Sequence, residues 1–216
     1  MNLLATGPES RWRLAWVPLL VLAVAAVLRV LGLRTELWMD ELLSLRLVGD
    51  LESPLGVFTA VHHDNNHYLN SLWLYGTGPD ARAWLLRLPP VILGTALVAL
   101  ASVSVADRGR RTAFAAAILT AFSYPLIHYS SEARGYGYVL FFALLSYVLV
   151  RSWLADGRIR WAVGYALSAS LGFLSHLGFV TVFAALIVWS VADAASVPGR
   201  RVRRLMAHMA AHALPV

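Results

Sequence analysis

Cysteine and lysine are absent from this sequence, and charged residues of either sign are few. Without cysteine, disulfide bonds and thiolate metal sites are excluded. Charged residues make up only 14% of the chain and hydrophobic residues 59%, above the roughly 45–50% usual for soluble domains. The composition therefore predicts a membrane protein, and the length of 216 residues predicts a single compact membrane module over residues 1–216.

Long apolar runs account for much of what is present. A helix needs about 20 apolar residues to cross a hydrocarbon core of roughly 30 Å, and we read spans at residues 14–33, 88–106, 112–127 and 136–150. The run at 161–192 would make a helix of about 48 Å, too long for one ordinary crossing. It has "SHLG" at its centre, which favours two helices, 161–175 and 177–192. The expected fold class is an all-α polytopic bundle of about six transmembrane helices.

The first apolar run has two readings, a cleaved signal peptide or an uncleaved anchor. It is long for a signal peptide and no clear small-residue cleavage site follows it, so we favour the anchor. The arginines then fix the orientation, because cytoplasmic loops are rich in basic residues. With the N-terminus inside, the clusters "DRGRR" (107–111) and "GRRVRR" (199–204) both fall on the cytoplasmic side.

The formal net charge of +6 would suggest nucleic acid in a soluble protein. Here the positions of the arginines indicate topology and contact with anionic lipid headgroups instead. We therefore predict a multi-pass protein of the cell (plasma) membrane with both ends cytoplasmic, contacts with membrane lipids and no nucleic-acid partner.

With this orientation the polar residues gather on the extracytoplasmic side. The first outer loop, 34–87, carries "LWMDELLS" and "HHDNNHY", and it contains two stretches that we read as surface helices. The second outer turn is "HYSSEARGY" (128–136), and the third contains His176. A passive bundle has no need for such a concentration, so we expect a functional site at this edge of the bilayer.

Several of these segments resemble, in order, those of the GT-C glycosyltransferases. The nearest branch contains the bacterial relatives of protein O-mannosyltransferases and lipid A aminoarabinose transferases. "LWMDELLS" looks like the W-x-D-E segment after the first membrane helix, and "HHDNNHYLNSLWLY" is similar to a D-x-H-P-P-L-Y-Y-L-type segment. "RLPPVILGTALVAL", "SYPLIHYSSEARGYGYVL" and "FLSHLGFV" resemble later segments. One departure is that Tyr68 and Leu69 stand where that family has Pro-Pro after the histidine.

The resemblance implies a reaction and its partners. A sugar would pass, with inversion, from a polyprenyl-phosphate-linked donor to a hydroxyl of a glycan, lipid or protein acceptor outside the cytoplasm. In the family the acid corresponding to Asp40 is the presumed base. Family members usually continue into further membrane helices. We therefore expect this chain to be an N-terminal part of that architecture, completed by further sequence or by a second chain.

Sugar transfer to a hydroxyl needs a base for the acceptor proton and a cation for the departing phosphate. Asp40 is the candidate base; its alternative is a solvated or helix-capping carboxylate. Glu41 could orient Asp40, bind a divalent cation such as Mg²⁺ or Mn²⁺, or simply be solvated. Arg134 is the candidate phosphate ligand, with Glu132 positioning it or merely pairing with it. Arg29 could also reach the phosphate, although snorkelling is the simpler reading.

The histidines of the outer loops leave more options open. His63 and His67 are four residues apart with Asp64 between them, so on a helix both imidazoles would share one face and could form a metal pair. They could instead bind donor phosphate or sugar hydroxyls, or be simply exposed. His176 could hydrogen-bond within the site or satisfy backbone groups at the helix ends.

Two other functions compete with transfer. A transporter or flippase for lipid-linked sugars would need polar residues near mid-membrane, whereas the charges here cluster at one edge. A non-catalytic membrane subunit is favoured by the short length of the chain.

Overall fold

The structure, a computed structural model, describes residues 8–196 and residue 212, and this part of the chain is all-α, without strands. The predicted basic cluster at 199–204 lies outside the described residues. Eleven α-helices and one 3₁₀ turn (Ala106–Arg108) follow one another there. The helices are α1 Pro8–Gly32, α2 Met39–Gly49, α3 Gly56–Thr59, α4 Tyr68–Thr77, α5 Ala83–Leu86, α6 Leu88–Ser104, α7 Arg110–Phe122, α8 Tyr124–Tyr129, α9 Tyr136–Asp156, α10 Ile159–Ser175 and α11 Phe179–Ser196.

The long helices pack into one bundle around α6 and α9. Helix α6 contacts α1, α7 and α9, while α9 also contacts α10 and α11. Small side chains such as Ala25, Ala117 and Ala121 pack between α1, α6 and α7. Larger ones, including Tyr165 and Phe179, fill the space between α9, α10 and α11.

One described helix, α9 (Tyr136–Asp156), is long and apolar enough to cross a membrane by length and composition. Pro18–Gly32, Leu88–Ser104 and Phe179–Asp193 are shorter apolar helical stretches. The length and composition of these helices support membrane association. Six crossings are not shown by length and composition alone.

The expected spans at 112–127 and 136–150 differ from the observed helices for local reasons. The expected helix at 112–127 is interrupted, because α7 ends at Phe122 and Ser123 is extended, with φ −66° and ψ 112°. Pro125 follows in the first turn of α8, where its missing N–H costs nothing, whereas inside a continuous helix it would remove a hydrogen bond and clash with the preceding turn. Helix α9 continues to Asp156 instead of ending at 150, and Gly157 in the left-handed conformation (φ 70°) terminates it.

The first loop, 34–87, is a folded unit with four short helices, where the sequence suggested two. Its apolar side chains form a cluster of buried residues, Leu45, Val48, Val57, Leu74 and Leu86, which also includes Ala133 from the turn between α8 and α9. This unit therefore packs onto the turn at 130–135, and the packing brings the two predicted polar segments together.

Candidate functional site

The site begins with two adjacent carboxylates that point in different directions. Helix α2 starts at Met39, so Asp40 and Glu41 lie in its first turn. Successive residues of an α-helix are rotated by about 100°, and here that rotation separates their environments. Glu41 is fully buried, while the side chain of Asp40 is 49% exposed.

Glu41 forms an internal anchor with Arg87, the residue just before α6. The guanidinium donates from Nε to Oε1 at 2.8 Å and from Nη2 to Oε2 at 2.6 Å, and both side chains are fully buried. The N–H of Ala133 donates to Oε1 at 2.6 Å, and the N–H of Trp38 donates to Oε2 at 2.8 Å. Burial alone would raise the pKa of Glu41, but the hydrogen bonds from Arg87, Ala133 and Trp38 hold that pKa below its usual range.

This geometry decides between the readings of Glu41. Its carboxylate is not solvated, and both oxygens already accept hydrogen bonds from the protein. Helix capping falls to Glu41 rather than to Asp40, because it is Glu41 that accepts the Trp38 N–H. Glu41 thus holds three segments together: the start of α2, the start of α6 and the turn at 130–135.

Asp40 lies beside Arg134, the residue that follows the anchored Ala133. Arg134 Nη1 is 3.0 Å from Asp40 Oδ2, and the Arg134 side chain is 18% exposed. The guanidinium lies 4.7 Å from the centre of the Tyr136 ring, a distance suited to a cation–π contact. The structure therefore brings together the residues that the sequence singled out as candidate base and candidate phosphate ligand.

His67 and His176 stack on each other beside this ion pair, with ring centroids 4.8 Å apart. Burial, helped by His176 and Arg134, lowers the pKa of His67 to about 4, and burial and Arg134 also lower the pKa of His176. Both imidazoles are therefore neutral at pH 7. Because Nδ1 of His176 accepts the N–H of Gly178 at 2.8 Å, its proton belongs on Nε2, which becomes a hydrogen-bond donor.

A glycine makes the approach of the third loop possible. A Cβ on Gly135 would stand 2.1 Å from the carbonyl oxygen of Ser175 and 2.8 Å from Cγ of His67. Only a residue without a side chain lets the end of α10 and the His67 ring come this close to the start of α9.

A cavity of about 720 Å³ opens over these groups. Its polar wall includes Asp40, Arg134 and the two stacked histidines, together with His63, Asp64, Asn65 and Tyr136. Leu43, Leu177, Gly178 and Val180 also line it. The cavity therefore combines charged groups with an apolar border.

Other predicted residues take different places. Glu132 does not pair with the Arg134 side chain; its Oε1 lies 3.1 Å from Nε2 of His128, and burial raises its pKa although His128 and Arg134 act in the opposite direction. Arg29 neither snorkels nor reaches the cavity. It is fully buried and donates from Nη1 to the carbonyl of Ala25 at 3.0 Å.

The metal pair that His63 and His67 could form on a helix is not formed. Residues 61–67 are turns and irregular chain, so His63 and His67 do not share a helical face. His63 contacts the exposed Asp64 at 2.8 Å, whereas His67 turns toward His176. Within the described chain no group of three or more His, Asp or Glu side chains is arranged to hold a metal ion.

Arg87 was missed by reasoning from the sequence, although it stands in the quoted segment "RLPP". The signal was available, since a charged residue next to an apolar span needs a partner. Asn70 was also missed; its Nδ2 donates to the carbonyl of Ala133 at 2.6 Å.

No protein-family model matches the chain, and neither a curated protein nor a solved structure shows significant similarity to it.

Proposed function

We propose that this chain is a polytopic membrane glycosyltransferase, which transfers a sugar from a polyprenyl-phosphate-linked donor to a hydroxyl acceptor. Six helices would cross the membrane, with the N-terminus cytoplasmic and the cavity at the extracytoplasmic surface. The meeting of three segments supports this orientation: the loop at 34–87, the turn at 130–135 and the turn containing His176 form one site. The arginine distribution assigns all three to the outer side.

The observation that carries the proposal is the 3.0 Å contact of Asp40 with Arg134 in a cavity of about 720 Å³. A half-exposed carboxylate and a guanidinium on one wall suit an acceptor hydroxyl and a phosphate. The apolar border suits a donor whose tail remains in lipid while its phosphate lies at headgroup depth. The short segments that resemble GT-C glycosyltransferases support the same reading.

The proposed step is a single displacement. The acceptor oxygen attacks the anomeric carbon and forms the new C–O bond, while the bond from that carbon to the phosphate oxygen breaks and its electron pair leaves with the lipid phosphate. Asp40 takes the acceptor proton. Arg134 stabilises the phosphate with its planar set of N–H donors.

The neighbouring groups bind and orient. The neutral His176 presents its Nε2–H donor to a sugar hydroxyl or phosphate oxygen. The ring of Tyr136 lies 4.7 Å from the Arg134 guanidinium, and its hydroxyl accepts a hydrogen bond from Nη2 at 3.5 Å, so Tyr136 holds the guanidinium in place beside the cavity. Glu41 has no direct contact with substrate in this scheme and acts by positioning Asp40.

The test replaces the base without changing its shape. Asp40→Asn should lower transfer from a labelled polyprenyl-phosphate sugar by about 100-fold or more, since general-base catalysis contributes about 10²–10⁴-fold. Glu52→Gln is the control, because Glu52 is an exposed acid of the same loop. Elution and thermal unfolding should match the parent protein in both variants.

Unchanged transfer by a folded Asp40→Asn protein would remove Asp40 as the base. Flux of sugar-lipid across vesicles without any transfer would assign the flippase function instead. Activity that requires a separate partner chain would make this chain one subunit of the enzyme.

A further inference from the structure

A row of aromatic rings leads from the protein surface to the cavity of the candidate site. Its members, which we call the aromatic row, are Trp38, Tyr124, His128, Tyr129 and Tyr136. The ring centroids of Trp38 and Tyr124 lie 6.1 and 5.8 Å from that of His128. His128 and Tyr129 are 5.6 Å apart, and Tyr129 lies 4.9 Å from Tyr136, which lines the cavity. The row therefore continues the cavity wall out onto the surface.

The outer part of the aromatic row is open to a ligand. Trp38 is 54% exposed, Tyr124 74% and Tyr129 37%. Exposed tryptophan and tyrosine are also typical of the membrane–water interface, where they contact lipid headgroups. The polar group at the centre of the row distinguishes a binding surface from such a lipid anchor.

That central group is the imidazole of His128, which is held in a defined orientation. Its Nε2 lies 3.1 Å from Oε1 of Glu132, whose side chain is only 7% exposed. The Tyr124 ring stacks on the imidazole at an interplanar angle of 9°, and Trp38 meets it edge-on at 89°. Because Nε2 faces the carboxyl group, Nδ1 is left to bind a ligand. An imidazole oriented by a buried carboxyl group adds nothing to a lipid anchor, whereas it suits a ligand that needs both ring contact and a hydrogen bond.

Both ends of the aromatic row adjoin the proposed reactive residues. Trp38 stands two residues before Asp40 in the sequence, and the Tyr136 ring lies 4.7 Å from the Arg134 guanidinium. A ligand bound along the row is therefore held next to the carboxylate that takes the acceptor proton in the proposed reaction.

We propose that the aromatic row binds the acceptor and that this acceptor is a neutral saccharide. A pyranose ring has an apolar C–H face, which packs on aromatic rings, and hydroxyls at its edge, which pair with groups such as Nδ1 of His128. An acyl chain would use the rings alone, and an anionic headgroup would need an arginine, which the row does not contain. The inference rests on the proposed sugar transfer, and it narrows the acceptor from a glycan, lipid or protein to a glycan.

The experiment measures acceptor binding with no sugar donor present. Neutral trisaccharides (mannotriose, maltotriose, cellotriose and chitotriose) are titrated into the purified full chain, in a detergent that has no sugar headgroup. Binding is followed by saturation-transfer-difference NMR, and a peptide rich in serine and threonine is titrated in the same way. We expect saturation to reach the C–H protons of at least one trisaccharide, and we expect no binding of the peptide.

Two exposed tryptophans of the loop at 34–87 provide matched variants. Trp38→Ala removes a ring of the aromatic row and should weaken trisaccharide binding by about tenfold, the size of a good aromatic contact. Trp84→Ala removes a ring of similar exposure, 49%, outside the row, and it should change binding by less than about twofold. Trp38→Phe keeps an aromatic ring and should retain most of the affinity. Tyr124→Ala tests the row without altering α2, and it should weaken binding as Trp38→Ala does.

Three results would overturn the proposal: no binding of any trisaccharide, tighter binding of the peptide than of every trisaccharide, or equal losses in Trp38→Ala and Trp84→Ala. The binding assay also separates this inference from the transfer reaction. Transfer to a peptide without trisaccharide binding would reject the saccharide acceptor alone. Trisaccharide binding that depends on Trp38, in a chain that transfers no sugar, would reject the transferase and leave the aromatic row as a glycan-binding surface.

Discussion

The buried Glu41–Arg87 pair gives the sharpest prediction for stability. In Glu41→Gln the side chain keeps its shape but loses its charge and one acceptor oxygen. All four groups around the carboxylate are donors: Nε and Nη2 of Arg87 and the N–H groups of Trp38 and Ala133. The amide NH₂ must therefore face a donor in either orientation.

Removing one partner of a buried ion pair costs about 3–5 kcal/mol, because the other charge stays buried without compensation. For a chain of this size, 1 kcal/mol corresponds to about 2–4 °C in the midpoint of thermal unfolding. We therefore expect Glu41→Gln to lower that midpoint by about 10 °C, measured by static light scattering or intrinsic fluorescence in detergent.

The matched control is Asp107→Asn, which also changes an acid that pairs with an arginine into its amide. Asp107 and Arg151 are 58% and 35% exposed, and exposed pairs contribute about 0–1 kcal/mol. A midpoint shift in Glu41→Gln no larger than in Asp107→Asn would refute the reasoning. The same conclusion follows if Glu41→Met with Arg87→Met loses as much as the sum of the single variants, because removing both charges should recover part of the loss.

The stacked histidines and the close approach at Gly135 give two further predictions. Because the pKa of His67 falls to about 4 in the folded chain from about 6.5 in the unfolded chain, neutral His67 contributes stability above pH 6.5 that is lost as the pH falls toward 4. Thermal unfolding scans between pH 7.5 and 4.5 should show this slope, and His67→Gln should flatten it. Gly135→Ala should destabilise the fold by about 1–3 kcal/mol, since its Cβ would stand 2.1 Å from the Ser175 carbonyl oxygen; Gly49→Ala, whose Cβ meets no atom within 4 Å, should leave the unfolding midpoint unchanged.

The sequence predicted the all-α class and selected the two side chains that meet in the cavity. The all-α class follows from the length of the apolar runs, because a helix satisfies its backbone hydrogen bonds within its own segment. The selection of Asp40 and Arg134 depends on assigning each polar residue to one side of the membrane. The arginine pattern assigns both to the same surface, although 93 residues separate them.

Residue patterns failed where a tertiary partner decided the outcome. In the sequence Asp40 and Glu41 are two similar adjacent acids. The direction in which each points from α2, together with the position of Arg87, determines which one is buried. The spacing of His63 and His67 would put both imidazoles on one face only if the segment were helical, and Asn65 and Asn66 between them favour turns. Nδ2 of Asn65 donates to the carbonyl of Asp40 at 2.7 Å, which ties the turn to α2.

The two proposed reactive residues share one support. Asp40 precedes Glu41 and Arg134 follows Ala133, and the Ala133 N–H donates to Glu41 at 2.6 Å. The carbonyl of Ala133 is held as well, by Asn70 at 2.6 Å. Since neighbouring Cα atoms are about 3.8 Å apart, fixing Glu41 and Ala133 fixes the backbones of Asp40 and Arg134 without covering their side chains. A buried charge pair thus gives rigidity to a site whose own charges must stay open to a substrate.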